Sequence, residues 1–144
     1  MAQTDELTAF LAKVPLFHGL NKRQLAKVAR RFVPRSFQTD QAIVTQGKGG
    51  AGMFTILSGH AQVVLEAADG SETVVNEFGP KDFFGEVAML DDGPRTASVI
   101  ATEDTDCLVL SRADFLALMR NDAEMATEIA VALAQRLRRA VSVM

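Results

Sequence analysis

The first third of the chain carries apolar residues at the spacing of two amphipathic helices. Leu7, Phe10, Leu11 and Val14 fit one helical face, and Leu25, Val28, Ala29 and Phe32 fit another. Thr4 and Asn21 stand where N-cap residues belong, and each helix is followed by a proline, at Pro15 and Pro34. The pattern predicts N-terminal helices within residues 1–33.

The middle of the chain, residues 34–110, changes to short β-rich runs separated by glycine. The predicted strands are 42–44, 53–57, 61–65, 73–75, 97–100 and 107–110. Ser58-Gly59, Asp69-Gly70 and Gly79-Pro80 lie between such runs, where we expect hairpin turns. Short strands at this spacing are typical of an antiparallel sandwich or barrel.

Two helices are predicted in residues 111–144. Ser111 and Asp114 resemble a capping box that opens a helix over 112–120, with Phe115, Leu116 and Met119 facing inward. A last helix over 124–144 carries an apolar stripe that consists of Ile129, Leu133, Leu137, Val141 and Met144. The stripe fits either packing in the core or a parallel helix pair between two subunits, and both interpretations stay open.

These elements define the predicted fold class as mainly β with flanking helices (α+β), an antiparallel β-roll or jelly roll with N-terminal helices and two C-terminal helices. The chain has 144 residues, of which 48% are hydrophobic, and this suffices for one core. We therefore expect a single domain over 1–144.

Composition excludes several classes of function. The net charge of −3 disfavours non-specific nucleic-acid binding, and the cationic residues of segment 22–35 fit a solvated helix face. A lone Cys107 with His18 and His60 supplies neither a disulfide nor a zinc site, so no metal or cofactor is expected. The chain shows no secretory signal and no membrane span, which predicts a cytoplasmic protein.

The candidate chemistry lies in segment 83–98, which interrupts the strands. Gly85-Glu86 precedes a short helix-compatible stretch, whose first backbone N–H groups favour an anion. Arg95 offers a bidentate fork to the same anion, and Glu86 accepts a hydrogen bond from a sugar hydroxyl. Taken alone, the two charges also fit a structural ion pair. Together with the backbone donors they predict a site for a singly charged sugar phosphate.

The residues Phe84-Gly85-Glu86-Val87-Ala88 and Pro94-Arg95-Thr96-Ala97 resemble the phosphate-binding cassette of the cyclic-nucleotide-binding domain superfamily, here over 84–98. This is the superfamily of the catabolite activator protein and of the regulatory subunits of cAMP-dependent protein kinase. The chain departs from the superfamily pattern at Gln46, Ala51 and Phe54, where an acid and a tyrosine are frequent. The resemblance covers nearly the whole chain.

The resemblance implies a role for each residue of the cassette. Arg95 pairs with the cyclic phosphate, Glu86 accepts the ribose 2′-hydroxyl, and the backbone N–H groups of Gly85, Glu86, Val87 and Ala88 complete the cradle. Thr96 and Ala97 lie beside the phosphate or the base edge. The resemblance also implies base-capping residues on the last helix, at Arg136, Arg139 and Ala140.

We therefore expect a non-catalytic sensor of a cyclic mononucleotide, cAMP in preference to cGMP, because no nucleophile with an adjacent base is evident. The expected signal is a rearrangement of the C-terminal helices, read by a second subunit or by a partner protein. DNA binding is not expected without a helix-turn-helix domain. The alternatives are a shortened Crp-type transcription regulator, a family member that senses a different small effector, and an enzyme on a cupin-like scaffold.

Overall fold

The β-rich middle of the chain forms two antiparallel four-stranded sheets in a computed structural model, which describes residues 2–48, 52–86, 88–91 and 93–141. The first sheet has the strand order β1-β8-β3-β6 and the second has the order β2-β7-β4-β5. The strands are β1 (Val33–Phe37), β2 (Ala42–Val44), β3 (Gly52–Ser58), β4 (Ala61–Glu66), β5 (Glu72–Phe78), β6 (Phe83–Phe84), β7 (Ser98–Ala101) and β8 (Thr105–Ser111). The predicted antiparallel architecture is confirmed.

Two strands are absent from the sequence prediction. β1 contains Pro34 and is mostly exposed, as suits a strand at the edge of a sheet, where proline is tolerated. β6 has only two residues, Phe83 and Phe84, which pair with Thr55 and Phe54 of β3. Neither strand contains the β-rich run that predicts the other strands.

Only one of the three predicted hairpin turns joins paired strands. β4 and β5 pair around Asp69-Gly70, with Glu66 opposite Glu72. The hairpin predictions at Gly59 and Gly79 are wrong, because β3 and β4, like β5 and β6, lie in different sheets. Gly59 has φ +97°, and a Cβ atom there would lie 2.6 Å from the carbonyl oxygen of Asp104. Its turn therefore carries the chain from one sheet to the other at a point of close backbone approach.

The core of the roll contains a row of four phenylalanines. Phe54 and Phe84 stack with ring centroids 5.1 Å apart, and Phe84 and Phe78 stack at 5.0 Å. Phe37 meets Phe54 edge-on at 6.3 Å. Phe54 and Phe84 belong to the first sheet and Phe78 to the second, so the row joins the two sheets through apolar contact.

The chain divides into two compact units: Phe32–Arg112, which contains the sheets, and Met1–Arg31 with Ala113–Met144. The helices of the second unit are α1 (Ala2–Leu11), a 3₁₀ turn (Pro15–Phe17), α2 (Lys22–Ala29), α4 (Arg112–Asn121) and α5 (Ala123–Ala140). The remaining helix, α3 (Ala88–Asp91), belongs to the strand unit. The single domain over 1–144 stays a prediction.

The N-terminal helices form where the sequence predicts them, but α1 ends at Leu11 and α2 at Ala29, so the predicted helix positions Val14 and Phe32 lie outside them. Asn21 caps α2 as predicted, in a reciprocal pair with Gln24, whose backbone N–H donates to Asn21 Oδ1 at 2.8 Å. The predicted cap Thr4 is wrong, because α1 begins two residues earlier and includes Thr4. Phe17 packs against Phe115 of α4 with ring centroids 6.0 Å apart.

The C-terminal helices bury Phe115 and Ile129 as predicted, but their other buried residues differ from the prediction. In α4, Phe115 and Leu118 are buried, whereas Leu116 and Met119 are only half-buried. In α5 the buried residues are Met125, Ile129 and Ala132. Leu137 is 65% exposed and Val141 is 43% exposed, so the interpretation of the whole stripe as core is wrong at its C-terminal end. Met144, the predicted end of this helix and stripe, lies outside the described residues.

No helix in the described part of the chain has the length and apolar character to span a membrane.

Candidate functional site

The strand unit contains a cavity of about 350 Å³, within the usual size range of small-molecule sites. Its polar lining residues are Glu86, Asp91, Arg95 and Thr96, and its apolar walls consist mainly of Val44, Val63, Phe78, Phe84 and Val99. The valines and Phe78 belong to β2, β4, β5 and β7, which together form the second sheet. The apolar walls of the cavity, which form its floor, therefore come mainly from the second sheet, whereas its charged groups come from one stretch of chain.

The local sequence explains how this stretch enters the cavity. β6 ends at Phe84, whose ring is held in the phenylalanine row, and Gly85 then turns the chain with φ +86°. The short α3 follows, and Pro94 and Arg95 return the chain to β7, which begins at Ser98. Few residues other than glycine adopt the backbone conformation of Gly85 at low cost.

Arg95 is fixed by both its backbone and its side chain. Its N–H donates to the carbonyl oxygen of Lys48 at 2.9 Å, and its carbonyl oxygen accepts from Gly47 N–H at 2.8 Å. Its Nη2 donates to the carbonyl oxygen of Gly52 at 2.8 Å. The buried Nε has no hydrogen-bond partner among the residues that the structure describes. A buried donor without a partner is uncommon and favours binding of an acceptor.

The charge of Arg95 is set by two opposing effects. Burial lowers the pKa of its guanidinium below the ordinary value, and the nearby negative charge of Glu86 raises that pKa. Because a guanidinium stays protonated even when its pKa falls, the cavity holds a permanent cation beside a carboxylate. Such a pair suits an anion that carries a hydroxyl group close to it.

Position 85 needs a glycine for two reasons: its backbone conformation, and the closeness of the Arg95 side chain. A Cβ atom at Gly85 would lie 2.6 Å from Arg95 Nη1 and 2.6 Å from the carbonyl oxygen of Gly52. Real Cβ atoms do not come so close to other heavy atoms. The glycine therefore leaves the space that the guanidinium occupies.

The structure brings five of the predicted cassette residues to one cavity: Gly85, Glu86, Arg95, Thr96 and Ala97 all line it. Ala88 is the first residue of α3, and Val87 lies outside the described residues.

The predicted base-capping residues lie elsewhere in the chain. Arg136, Arg139 and Ala140 are on α5, in the helical unit, where Arg136 is half-buried and the other two are exposed. Their role in capping a base stays a prediction.

Sequence reasoning missed the apolar walls and one acid. Val63 and Phe78 face the cavity from paired strands, a placement that alternation along β4 and β5 indicates only once the pairing is known. Asp91 also lines the cavity, and its Oδ1 accepts from Gly93 N–H at 2.9 Å. It thereby fixes the turn that precedes Arg95.

Cys107, the one cysteine of the sequence, does not line this cavity. Cys107 is fully buried, and burial, with a smaller effect of Asp106, raises the pKa of its thiol to about 11. Within the described ranges, no group of three or more His, Cys, Asp or Glu side chains is placed to hold a metal ion.

Comparison with known proteins agrees with this geometry. The model of the cyclic nucleotide-binding domain family matches residues 34–122. The chain is 37% identical over 126 residues to the cyclic AMP receptor protein of Thermus thermophilus, a match that covers 88% of this chain and 58% of that protein. It is also 37% identical over 97 residues to a cAMP-dependent protein kinase regulatory subunit of Mycosarcoma maydis, which covers 67% of this chain and 18% of that protein.

Among solved structures, the N-terminal domain of a transcriptional regulator from Streptomyces coelicolor superposes with a TM-score of 0.85 at 27% identity, covering 94% of each chain. The predicted β-roll with flanking helices is thereby confirmed. The chain spans 58% of the length of its Thermus relative and a smaller share of the fungal one. These relatives are regulatory proteins. On the family match and the fold together, the chain belongs to the cyclic nucleotide-binding domain family.

Proposed function

We propose that this chain binds a cyclic mononucleotide in the cavity of the strand unit and acts as a non-catalytic sensor. The observation that carries the proposal is the buried Nε of Arg95, which lacks a partner among the described residues and lies in a cavity with Glu86. A cyclic phosphate diester carries one negative charge, which a single guanidinium balances.

Each lining residue then has a role that its chemistry supports. Arg95 binds the cyclic phosphate, and Glu86 accepts a hydrogen bond from the ribose 2′-hydroxyl. The backbone N–H groups of Gly85, Glu86, Val87 and Ala88 complete the phosphate cradle. Thr96 and Ala97 lie beside the phosphate or the base, and the apolar floor contacts the ring systems of the ligand.

We further propose cAMP in preference to cGMP as the ligand. The names of the Thermus receptor protein and the fungal kinase subunit refer to cyclic AMP, and both proteins are 37% identical to this chain over the matched residues. We assign the capping of the base to Arg136, Arg139 and Ala140. A cytoplasmic location and a single-domain organisation complete the proposal.

Calorimetric titration of the purified chain with cAMP and with cGMP tests the assignment. Saturable binding of one molecule per chain, strongly weakened by Arg95→Ala, supports it, and chromatography of the recovered cAMP distinguishes a sensor from an enzyme. Gln41→Ala is the matched control, because Gln41 makes one side-chain bond to the backbone of Gln38 and does not line the cavity. Absence of binding by the wild-type chain to either nucleotide contradicts the proposal and favours a different small effector.

We propose α5 as the output of the sensor, through a helix pair with a second copy of the chain or through a partner protein. Its exposed side carries residues at alternating spacings of four and three, as in a coiled coil: Ala130, Ala134, Leu137 and Val141. Sedimentation of the wild type and of Leu137→Glu, each with and without nucleotide, tests this. A dimer that Leu137→Glu dissociates supports the helix pair. A monomer of unchanged mass under all four conditions contradicts the helix pair.

The second candidate is the sensor part of a Crp-type transcription regulator. The observation that favours this candidate is the extent of the alignment, which covers 58% of the Thermus receptor protein. In that case the ligand site and the role of Arg95 are the same, and α5 passes the signal to a DNA-binding segment. Duplex binding by the chain of 144 residues alone is not expected under either candidate.

A further inference from the structure

The second sheet has a gap in its hydrogen-bond ladder next to the cavity. β4 pairs with β7 from Ala61↔Ala101 to Val64↔Ser98. Continued in the same register, the ladder would place Glu66 opposite Thr96. β7 instead begins at Ser98, and the chain at residues 96–97 bends to line the cavity. Glu66 therefore loses its expected strand partner at the point where Thr96 enters the site.

The side-chain amide of Gln46 fills this gap. Its Oε1 accepts from Glu66 N–H at 2.8 Å, and its Nε2 donates to the carbonyl oxygen of Glu66 at 3.0 Å. These are the two bonds that a residue on a neighbouring strand would exchange with Glu66. The backbone N–H of Gln46 also donates to Ser98 Oγ at 2.8 Å, at the first residue of β7.

The same loop holds Arg95. Gly47 N–H, next in sequence to Gln46, donates to the carbonyl oxygen of Arg95, and the carbonyl oxygen of Lys48 accepts from Arg95 N–H. Gln46 thus anchors on β4 the short loop whose backbone fixes the proposed phosphate-binding arginine. Gln46 does not line the cavity itself.

We propose that Gln46 is a positioning residue of the ligand site: its amide replaces Thr96 in the ladder, which frees residues 95–97 to line the cavity, and it anchors the loop that orients Arg95. The proposal rests on the proposed function for its effect on ligand affinity. The anchoring of Arg95 does not depend on a ligand, so it is tested in the ligand-free chain.

The first experiment measures amide hydrogen exchange by NMR in the ligand-free chain. Gln46→Met keeps the approximate size of the side chain and removes both bonds to Glu66. We expect exchange of the Gly47 and Arg95 amides, which Gln46 does not bond directly, to accelerate about tenfold through local opening. The amide of Ile56 on β3 reports global unfolding and is expected to keep its rate, as are all of these amides in Gln41→Ala. Unchanged exchange at Gly47 and Arg95 overturns the proposal.

The second experiment measures affinity for cAMP in a double-mutant cycle. Gln46→Met is expected to raise Kd severalfold in the wild-type background, because the apparent affinity falls with the fraction of molecules in which Arg95 is held in place. In the Arg95→Ala background it is expected to change Kd less than twofold, because its effect passes through Arg95. An equal loss in both backgrounds means that Gln46 acts independently of Arg95 and overturns the proposal.

Gln46→Glu supplies a graded variant in case Gln46→Met does not fold. A carboxylate at this position still accepts from Glu66 N–H but cannot donate to the Glu66 carbonyl, so faster exchange at Gly47 and Arg95 is again expected. Wild-type rates in Gln46→Glu contradict the anchoring role. If the wild-type chain binds no cyclic nucleotide, the proposed function fails, while the exchange data still decide whether Gln46 anchors Arg95.

Discussion

Gly85→Ala is predicted to damage both the stability of the fold and the ligand site. The backbone of Gly85 has φ +86°, where a side chain costs about 1–2 kcal/mol, partly offset by about 0.4–1 kcal/mol from the restricted unfolded chain. The added Cβ would also lie 2.6 Å from Arg95 Nη1 and from the carbonyl oxygen of Gly52. Relief of such overpacking typically costs a further 1–3 kcal/mol, roughly. We therefore expect the free energy of unfolding to fall by about 1–5 kcal/mol.

The two contacts of that Cβ atom differ in how they can relax. The Gly52 carbonyl belongs to the backbone of β3, which pairs with β8, whereas Arg95 Nη1 is the end of a side chain. Arg95 should therefore move away, which breaks its bond to Gly52 and misplaces its fork. Loss of one charge-assisted interaction of about 1.5–3 kcal/mol predicts a rise in Kd for cAMP of roughly 10- to 100-fold.

Gly70→Ala is the matched control for Gly85→Ala. Gly70 has φ +88°, and a Cβ there would have nothing within 4 Å. It carries the same backbone strain without the contacts, so we expect a loss of about 1 kcal/mol and no change in Kd. Urea denaturation and calorimetry measure the two quantities. Equal stability losses in the two variants, with unchanged affinity in Gly85→Ala, would refute the steric argument.

Three further predictions concern the site and the core. Arg95→Lys should weaken cAMP binding nearly as much as Arg95→Ala, because an ammonium cannot reproduce the planar fork; calorimetric Kd values near wild type would contradict this. If Glu86 accepts the 2′-hydroxyl, 2′-deoxy-cAMP should bind the wild type about tenfold more weakly, and equal affinities would remove that role. Burial raises the pKa of the Cys107 thiol from 9.0 to about 11, so ionisation favours the unfolded chain. The free energy of unfolding should therefore fall as the pH rises from 9 towards 11, and Cys107→Ala should reduce this slope in urea titrations.

The sequence predicts the strands and the cassette well because both depend on local chemistry. Short β-rich runs identify β4 and β8 without knowledge of their partners. Gly85, Glu86 and Arg95 are recognisable together because a turn, an acceptor and a fork recur within one short segment. Their convergence on one cavity follows from the fold of that segment.

What the sequence could not predict depends on contacts between distant residues. The bond from Arg95 to Gly52 spans 43 positions, and the pair of bonds from Gln46 to Glu66 spans 20. Neither of these long-range contacts produces a periodic pattern in the sequence. The turn at Gly59 is similar, because a glycine with positive φ fits a hairpin and a crossing between sheets equally well. The exposure of Leu137 is likewise set by how far the core extends along α5, which a continuous apolar stripe does not reveal.

The constraints on Arg95 place stability and binding in opposition. Burial disfavours its charged form, and its Nε is buried without a partner among the described residues, so the ligand-free fold bears the cost of an unsatisfied donor. The bonds to Lys48, Gly47 and Gly52 prevent the side chain and backbone from relaxing to relieve that cost. An anion that accepts from Nε removes the cost and finds the guanidinium already oriented, so little conformational entropy is lost on binding. The buried Nε that costs the ligand-free roll stability is, for that reason, prepared to donate to a phosphate.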